Sequence, residues 1–146
     1  MKPIKEFEYY IKKGVVKKQS PNTSRANDLI NESERKLSQI KRIINKIGID
    51  NGNANDIIES CYDIIIYKIR AKMLLQGYNS SGFAAHEAEV AYLKNLGFND
   101  LDISFVNQLR YFRNGILYYG KRFDKEYANK TLMFLNKIKE KLKWQK

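Results

Sequence analysis

The sequence predicts an all-α fold, an up-and-down bundle of five or six helices, and three observations carry that expectation. Apolar residues recur at steps of three and four through most of the chain, which is the spacing of one helix face. Only 2 of the 146 residues are Pro and 8 are Gly, too few for many short strands joined by tight turns. Four of those glycines, Gly14, Gly48, Gly97 and Gly120, stand where a helical pattern stops, as helix-terminating glycines do. The length suits a single domain over residues 1–146, with a short N-terminal helix and connecting segment over 1–24 and the bundle over 25–146. Apolar residues make up 43% and charged residues 29%, the balance of a chain able to bury a core.

Lys5 to Lys13 forms a short amphipathic helix with Phe7, Tyr10 and Ile11 on one side, ended by Gly14. Val15–Gln19 leads into Ser20-Pro21-Asn22-Thr23-Ser24, a loop followed by a helix cap. A long helix then spans about Arg25 to Ile47 and closes at Gly48. Its inner face is Ala26, Leu29, Ile30, Leu37, Ile40, Ile44 and Ile47, and its wet face is Glu32, Arg35, Lys36, Lys41 and Arg42. After the turn Asn51–Asn55, with Asn55 or Asp56 as cap, a helix of about Ile57 to Leu75 is apolar nearly all round. Its polar residues shrink to the seam Asp56, Glu59, Asp63 and Arg70, as expected of the middle helix of a bundle. Gln76–Gly82 is a loop, and about Ala84 to Leu96 is a helix closed by Gly97. Asp100 caps the next helix, in which Phe105, Leu109, Phe112, Ile116 and Tyr119 step by 4, 3, 4 and 3 up to Gly120. The last helix, about Asp124 to Leu142, turns Tyr127, Leu132, Leu135, Ile138 and Leu142 inward.

Function is first bounded by charge. Lys and Arg number 27 against 16 Asp and Glu, a net charge of +11, and such an excess attracts polyanions. One Cys and one His exclude a disulfide framework and the usual Cys/His zinc sites, so neither metal nor cofactor is expected. No glycine-rich turn between a strand and a helix cradles a phosphate, and His86-Glu87-Ala88-Glu89-Val90 lacks the second His of a zinc-protease motif. The acid pairs Asp100/Asp102 and Glu87/Glu89 lie near helix starts, where they compensate the helix dipole. Cys61, on the apolar face of the central helix, is a small hydrophobe. The start Met1–Glu6 has no apolar stretch of a signal peptide, and no run approaches the ~20 apolar residues of a membrane span. A cytoplasmic location with no membrane partner is the expectation, and the Lys-, Ile- and Asn-rich composition points to a low-GC prokaryotic genome, archaea included.

One segment concentrates the chemistry. Leu109 to Arg122 packs four cations (Arg110, Arg113, Lys121 and Arg122) and four aromatic rings (Tyr111, Phe112, Tyr118 and Tyr119) into 14 residues. Arg113 lies one turn from both Leu109 and Leu117, close to the apolar stripe, where a guanidinium needs an acceptor. Gly115 inside a helix costs about 1 kcal/mol relative to Ala, a cost that a backbone or ligand approaching closely would offset. Arg holds a phosphate through two parallel hydrogen bonds, and Tyr stacks on a base. The other reading of Arg113 is internal, an ion pair with Asp56, Glu59 or Asp63 of the central helix.

Arg113-Asn114-Gly115-Ile116-Leu117-Tyr118, late in a helical bundle, resembles the HEPN superfamily, whose signature is Arg, often Asn, then four to six residues and a His. Gly14–Lys18, Ser20-Pro21, Tyr62, Gly77-Tyr78, His86-Glu87, Leu96-Gly97-Phe98 and Leu109-Arg110 extend the resemblance to archaeal members over about residues 14 to 143. The resemblance implies an up-and-down bundle that dimerises, and either a metal-independent RNase of toxin–antitoxin or defence type or a partner of a small nucleotidyltransferase. It implies catalytic positions at Arg113, Asn114 and Tyr118, with Arg113 on the scissile phosphate and Asn114 supporting it. RNA or a nucleotide would further meet Arg110, Tyr119, Lys121 and Arg122.

The His of the signature falls on Tyr118 here. A phenol of pKa about 10 is mostly in the wrong form for a general base at pH 7, so binding with weak or absent cleavage is expected. Arg113 and Tyr118 also stand roughly 140° apart around a straight helix, which favours a homodimer that juxtaposes two copies. His86, at a helix start far from the motif, reads as a capping or packing residue and can help the site only if the fold brings it close. The alternative function is a non-catalytic interaction subunit beside a nucleotidyltransferase.

Overall fold

The computed structural model describes residues 3–143. Its elements run α1 (Phe7–Lys12), β1 (Val16–Lys18), α2 (Thr23–Ile47), α3 (Ala54–Leu75), β2 (Tyr78–Ser80), α4 (Ala85–Ala91), α5 (Asp100–Tyr119) and α6 (Lys125–Ile138). A single 3₁₀ turn, Tyr92–Lys94, continues α4. The fold is therefore the expected all-α bundle, with six α-helices and one two-stranded ribbon among the described residues. No helix among them is long and apolar enough to cross a membrane.

α3 is the axis of the bundle and touches α2, α4, α5, α6 and β2. Six isoleucines (Ile57, Ile58, Ile64, Ile65, Ile66 and Ile69) face these neighbours on different sides and are at most 2% exposed. Full burial of such a side chain stabilises by about 1.5–3 kcal/mol, so this one helix supplies much of the driving force for folding. Of the seam, Asp56 is exposed and Glu59, Asp63 and Arg70 are half-buried, as are Ser60, Tyr67, Lys72 and Leu75, while the other residues of the helix are buried.

Several local expectations are corrected. Asn53, not Asn55 or Asp56, stands at the N-terminus of α3, because the Asn55 side chain is used elsewhere. It donates to Lys121 O at 2.8 Å and accepts from Phe123 N at 2.9 Å. Asn99, not Asp100, caps α5 by accepting from Asp102 N at 2.8 Å. Ile47, expected inward, is 69% exposed, since it ends its helix beyond the packed bundle. Lys36, expected wet, is half-buried and reaches Asp63 at 3.6 Å. Glu89 and Asp102 do more than balance dipoles: Glu89 is fully buried against Arg70, and Asp102 binds Lys137 at 3.0 Å.

The ribbon replaces two expected loops. Val16 pairs with Ser80, Lys17 with Asn79 and Lys18 with Tyr78. Gly77 allows the strands to meet: its φ is +82°, and a Cβ there would lie 2.5 Å from Gln19 O.

Candidate functional site

A cleft of about 1150 Å³ opens between the last turns of α5, the loop after it, and the start of α4. It is lined by Arg110, Arg113, Asn114 and Tyr118 from α5 and by Tyr119, Lys121 and Arg122 at its end. All seven residues singled out in the sequence thus border one depression. His86 and Glu87 line it from the first turn of α4. Four cations face a single carboxylate, Glu87, among the lining side chains, so the cleft is electropositive. A second depression of about 560 Å³, beyond Phe112 and Phe123, pairs the lone cation Arg122 with Asp124 and lacks that charge excess.

The geometry follows from how α5 ends. Gly120 has φ +62°, its N–H donates to Ile116 O at 3.2 Å, and Lys121 N–H donates to Gly115 O at 3.2 Å. This paired closure reverses the chain and lays Lys121 back along the helix. A Cβ on Gly115 would stand 3.3 Å from Lys121 Cδ, so the nearest protein neighbour of this glycine is a lysine stem. Asn55 holds the reversed segment at both Lys121 and Phe123. Arg122 donates to Asn51 O at 3.1 Å, and Arg110 Nε donates to Asn107 Oδ1 at 3.0 Å.

Arg113 is half-buried, with its Nε 3.2 Å from Asp63 Oδ1. The internal pairing anticipated for it is therefore present, through Asp63 among the three candidate carboxylates. The pair is not aligned as a hydrogen bond, and the buried Nε has no hydrogen-bond partner. The other oxygen of Asp63 lies 3.6 Å from Lys36. Glu59, one turn earlier, has its carboxyl pushed up by burial, while Arg113 pulls it the other way. Arg113 keeps 23% of its side-chain surface accessible and lines the cleft, so ion pairing and access coexist.

Beneath Arg113 lies Tyr62, completely buried, with the guanidinium carbon 5.6 Å from its ring centre. Tyr62 Oη and His86 Nδ1 are hydrogen-bonded at 3.0 Å, with the donor set by the histidine tautomer. The two rings stack with centres 5.9 Å apart. Burial drives the Tyr62 phenol well above its ordinary range, so it keeps its proton. Burial also lowers the His86 pKa below 6.5, and the ring is neutral at pH 7. His86 neither caps nor merely packs: Ala84 is at the N-cap, and the imidazole opens on the cleft. Sequence spacing could not connect it to Arg113, because Tyr62 on a third helix joins them.

The rim is aromatic. Phe83, Tyr118 and Tyr119 are 109%, 74% and 79% exposed, and Tyr111 is half exposed. The α5 helix runs unbroken through Gly115, so Arg113 lies in the cleft while Tyr118 stands on its rim. Among the described residues, no three His, Cys, Asp or Glu side chains converge to hold a metal ion. A scan of protein-family models finds no match to the chain, and a search of curated proteins finds none either.

Proposed function

We propose that this chain is a HEPN-like domain that binds RNA or a nucleotide in the α4–α5 cleft. One observation carries the reading: four cations line a cleft whose rim is exposed aromatic surface. Phosphates are met by Arg110, Arg113, Lys121 and Arg122, and Asn114 donates or accepts beside them. Bases stack on Tyr118 and Tyr119, a contact every base accepts. An incoming phosphate competes with Asp63 for Arg113, and Lys36 remains to balance the released carboxylate. The protein works as a homodimer with the cleft near the two-fold axis, which covers part of the aromatic rim.

Binding of labelled single-stranded RNA, followed by anisotropy in EDTA, tests this reading. Affinity falls steeply as salt rises, and Arg113→Ala weakens it at least about tenfold. Salt-independent binding, or full affinity in Arg113→Ala, rejects the site. The second reading, a non-catalytic subunit beside a nucleotidyltransferase, is favoured by the fully exposed Phe83 on the rim. Under that reading RNA does not bind, and Phe83→Ser abolishes co-purification with the nucleotidyltransferase.

A further inference from the structure

We infer that the second depression, across Phe112 and Phe123 from the cationic cleft, is a nucleobase subsite for single-stranded RNA and takes a base that carries an exocyclic amine. This rests on the RNA-binding reading above. The two depressions share Phe112, Arg122 and Phe123, which form the ridge between them. Arg122 is tethered there by its bond to Asn51 O at 3.1 Å, so a phosphate paired with it lets the attached base cross to the far side. What lies beyond the ridge suits a base and not a phosphate. The charges of Arg122 and Asp124 offset each other, and the remaining lining is aromatic or amide. Phe112, Phe123 and Tyr127 are each half-buried and in mutual contact. Their ring centres are 4.7 Å apart for Phe112 and Phe123, 5.6 Å for Phe123 and Tyr127, and 5.3 Å for Phe112 and Tyr127. The volume of about 560 Å³ is that of a small-molecule site.

Two polar groups give the subsite an edge to read. Tyr127 Oη donates to Gln108 Oε1 at 3.4 Å, and burial pushes that phenol up to about 12, so it stays a donor. The amide is thereby oriented, and its NH₂ is left to donate to a ring nitrogen or carbonyl of a base. Asp124 Oδ1 accepts from Tyr127 N at 2.9 Å, which leaves Oδ2 as an acceptor. An ionised carboxylate only accepts. It therefore bonds the amino group of cytosine, adenine or guanine and repels the O4 carbonyl that uracil presents instead. Both flanks of Asp124 are anchored: Phe123 N donates to Asn55 Oδ1 at 2.9 Å, and Lys125 N donates to Asn51 Oδ1 at 2.9 Å. The rings supply stacking, which every base accepts, and Asp124 supplies the choice.

The experiment measures by anisotropy the affinity of the full chain for labelled oligo(C), oligo(U) and an abasic sugar–phosphate oligomer, all of one short length. Wild type binds oligo(C) at least about threefold more tightly than oligo(U). Asp124→Asn keeps an oxygen to cap α6 and brings that ratio to about one, whatever it does to both affinities. Gln108→Leu and Phe123→Leu weaken oligo(C) binding at least about threefold. Both leave the abasic oligomer and the salt dependence unchanged, because neither residue meets a phosphate. Circular dichroism melts confirm that each variant is folded, and the comparison of oligo(C) with oligo(U) on wild type needs no variant. Equal affinity of wild type for oligo(C) and oligo(U), or a preference that survives Asp124→Asn, overturns the subsite and leaves the RNA-binding reading standing. A Phe123→Leu loss that is equal on the abasic oligomer overturns it as well. Wild type that binds none of the three oligomers removes both.

Discussion

Two arginines, Arg70 and Arg113, leave this bundle's core at the same depth, each keeping 23% of its side chain accessible, yet they are held in different ways. Arg70 grips the completely buried Glu89 with both Nε and Nη2, meeting both carboxylate oxygens. Arg113 faces Asp63 through an unaligned Nε, and Asp63 is shared with Lys36. The first pair is saturated and belongs to the scaffold. The second leaves its cation incompletely satisfied at the edge of a cleft, which is what an anion-binding group requires. Burial alone does not separate the two arginines, whereas the completeness of their hydrogen bonding does.

Five substitutions and one titration sharpen or break that contrast. The largest effect is expected at Arg70→Ala, which strands the buried Glu89 carboxylate and costs about 3–5 kcal/mol in urea denaturation. Arg113→Ala costs no more than about 1 kcal/mol in the same measurement, because its pair is part-exposed and unaligned. If the two losses are equal, the contrast is wrong. Asp63→Asn releases Arg113 and raises RNA affinity about threefold to tenfold by anisotropy, while Glu89→Gln leaves affinity unchanged. Gly115→Ala gains up to about 1 kcal/mol of helix propensity, reduced by the 3.3 Å contact with the Lys121 stem. Its melting temperature therefore rises slightly, and RNA affinity falls slightly as Lys121 is displaced. The smallest effect is the pH response of His86, which lies between the two arginines. Its folded pKa is below its ordinary 6.5, so its share of stability is present above that value and is lost as pH falls. Melts at pH 7.5 and 5.5 should show a smaller acid loss in His86→Gln than in wild type.

The fold was legible because helices carry their signal locally. The all-round apolar pattern of Ile57 to Leu75 already placed that helix in the middle, and its seam offered Asp56, Glu59 and Asp63 as partners for Arg113, of which the structure selects Asp63. The ribbon was not legible: three residues per strand give too short an alternation, and its partners lie about 60 residues apart in the chain. The caps slipped by one or two positions because Asn99 and Asp100 are both good capping types, and so are Asn53 and Asn55. In the site, the cluster on α5 was visible as composition, whereas the approach of His86 to it was not. Its link to Arg113 runs through Tyr62, whose burial could be read but whose hydroxyl partner could not. Glu89 was misread for the same reason, since its position near a helix start offers a sufficient local explanation.

Asn55 carries one further consequence. A single amide satisfies Lys121 and Phe123, so the strap that closes α5 is riveted to the first turn of the central helix. That wall of the groove cannot swing outward without breaking both hydrogen bonds, so the width of the opening is tied to the central helix.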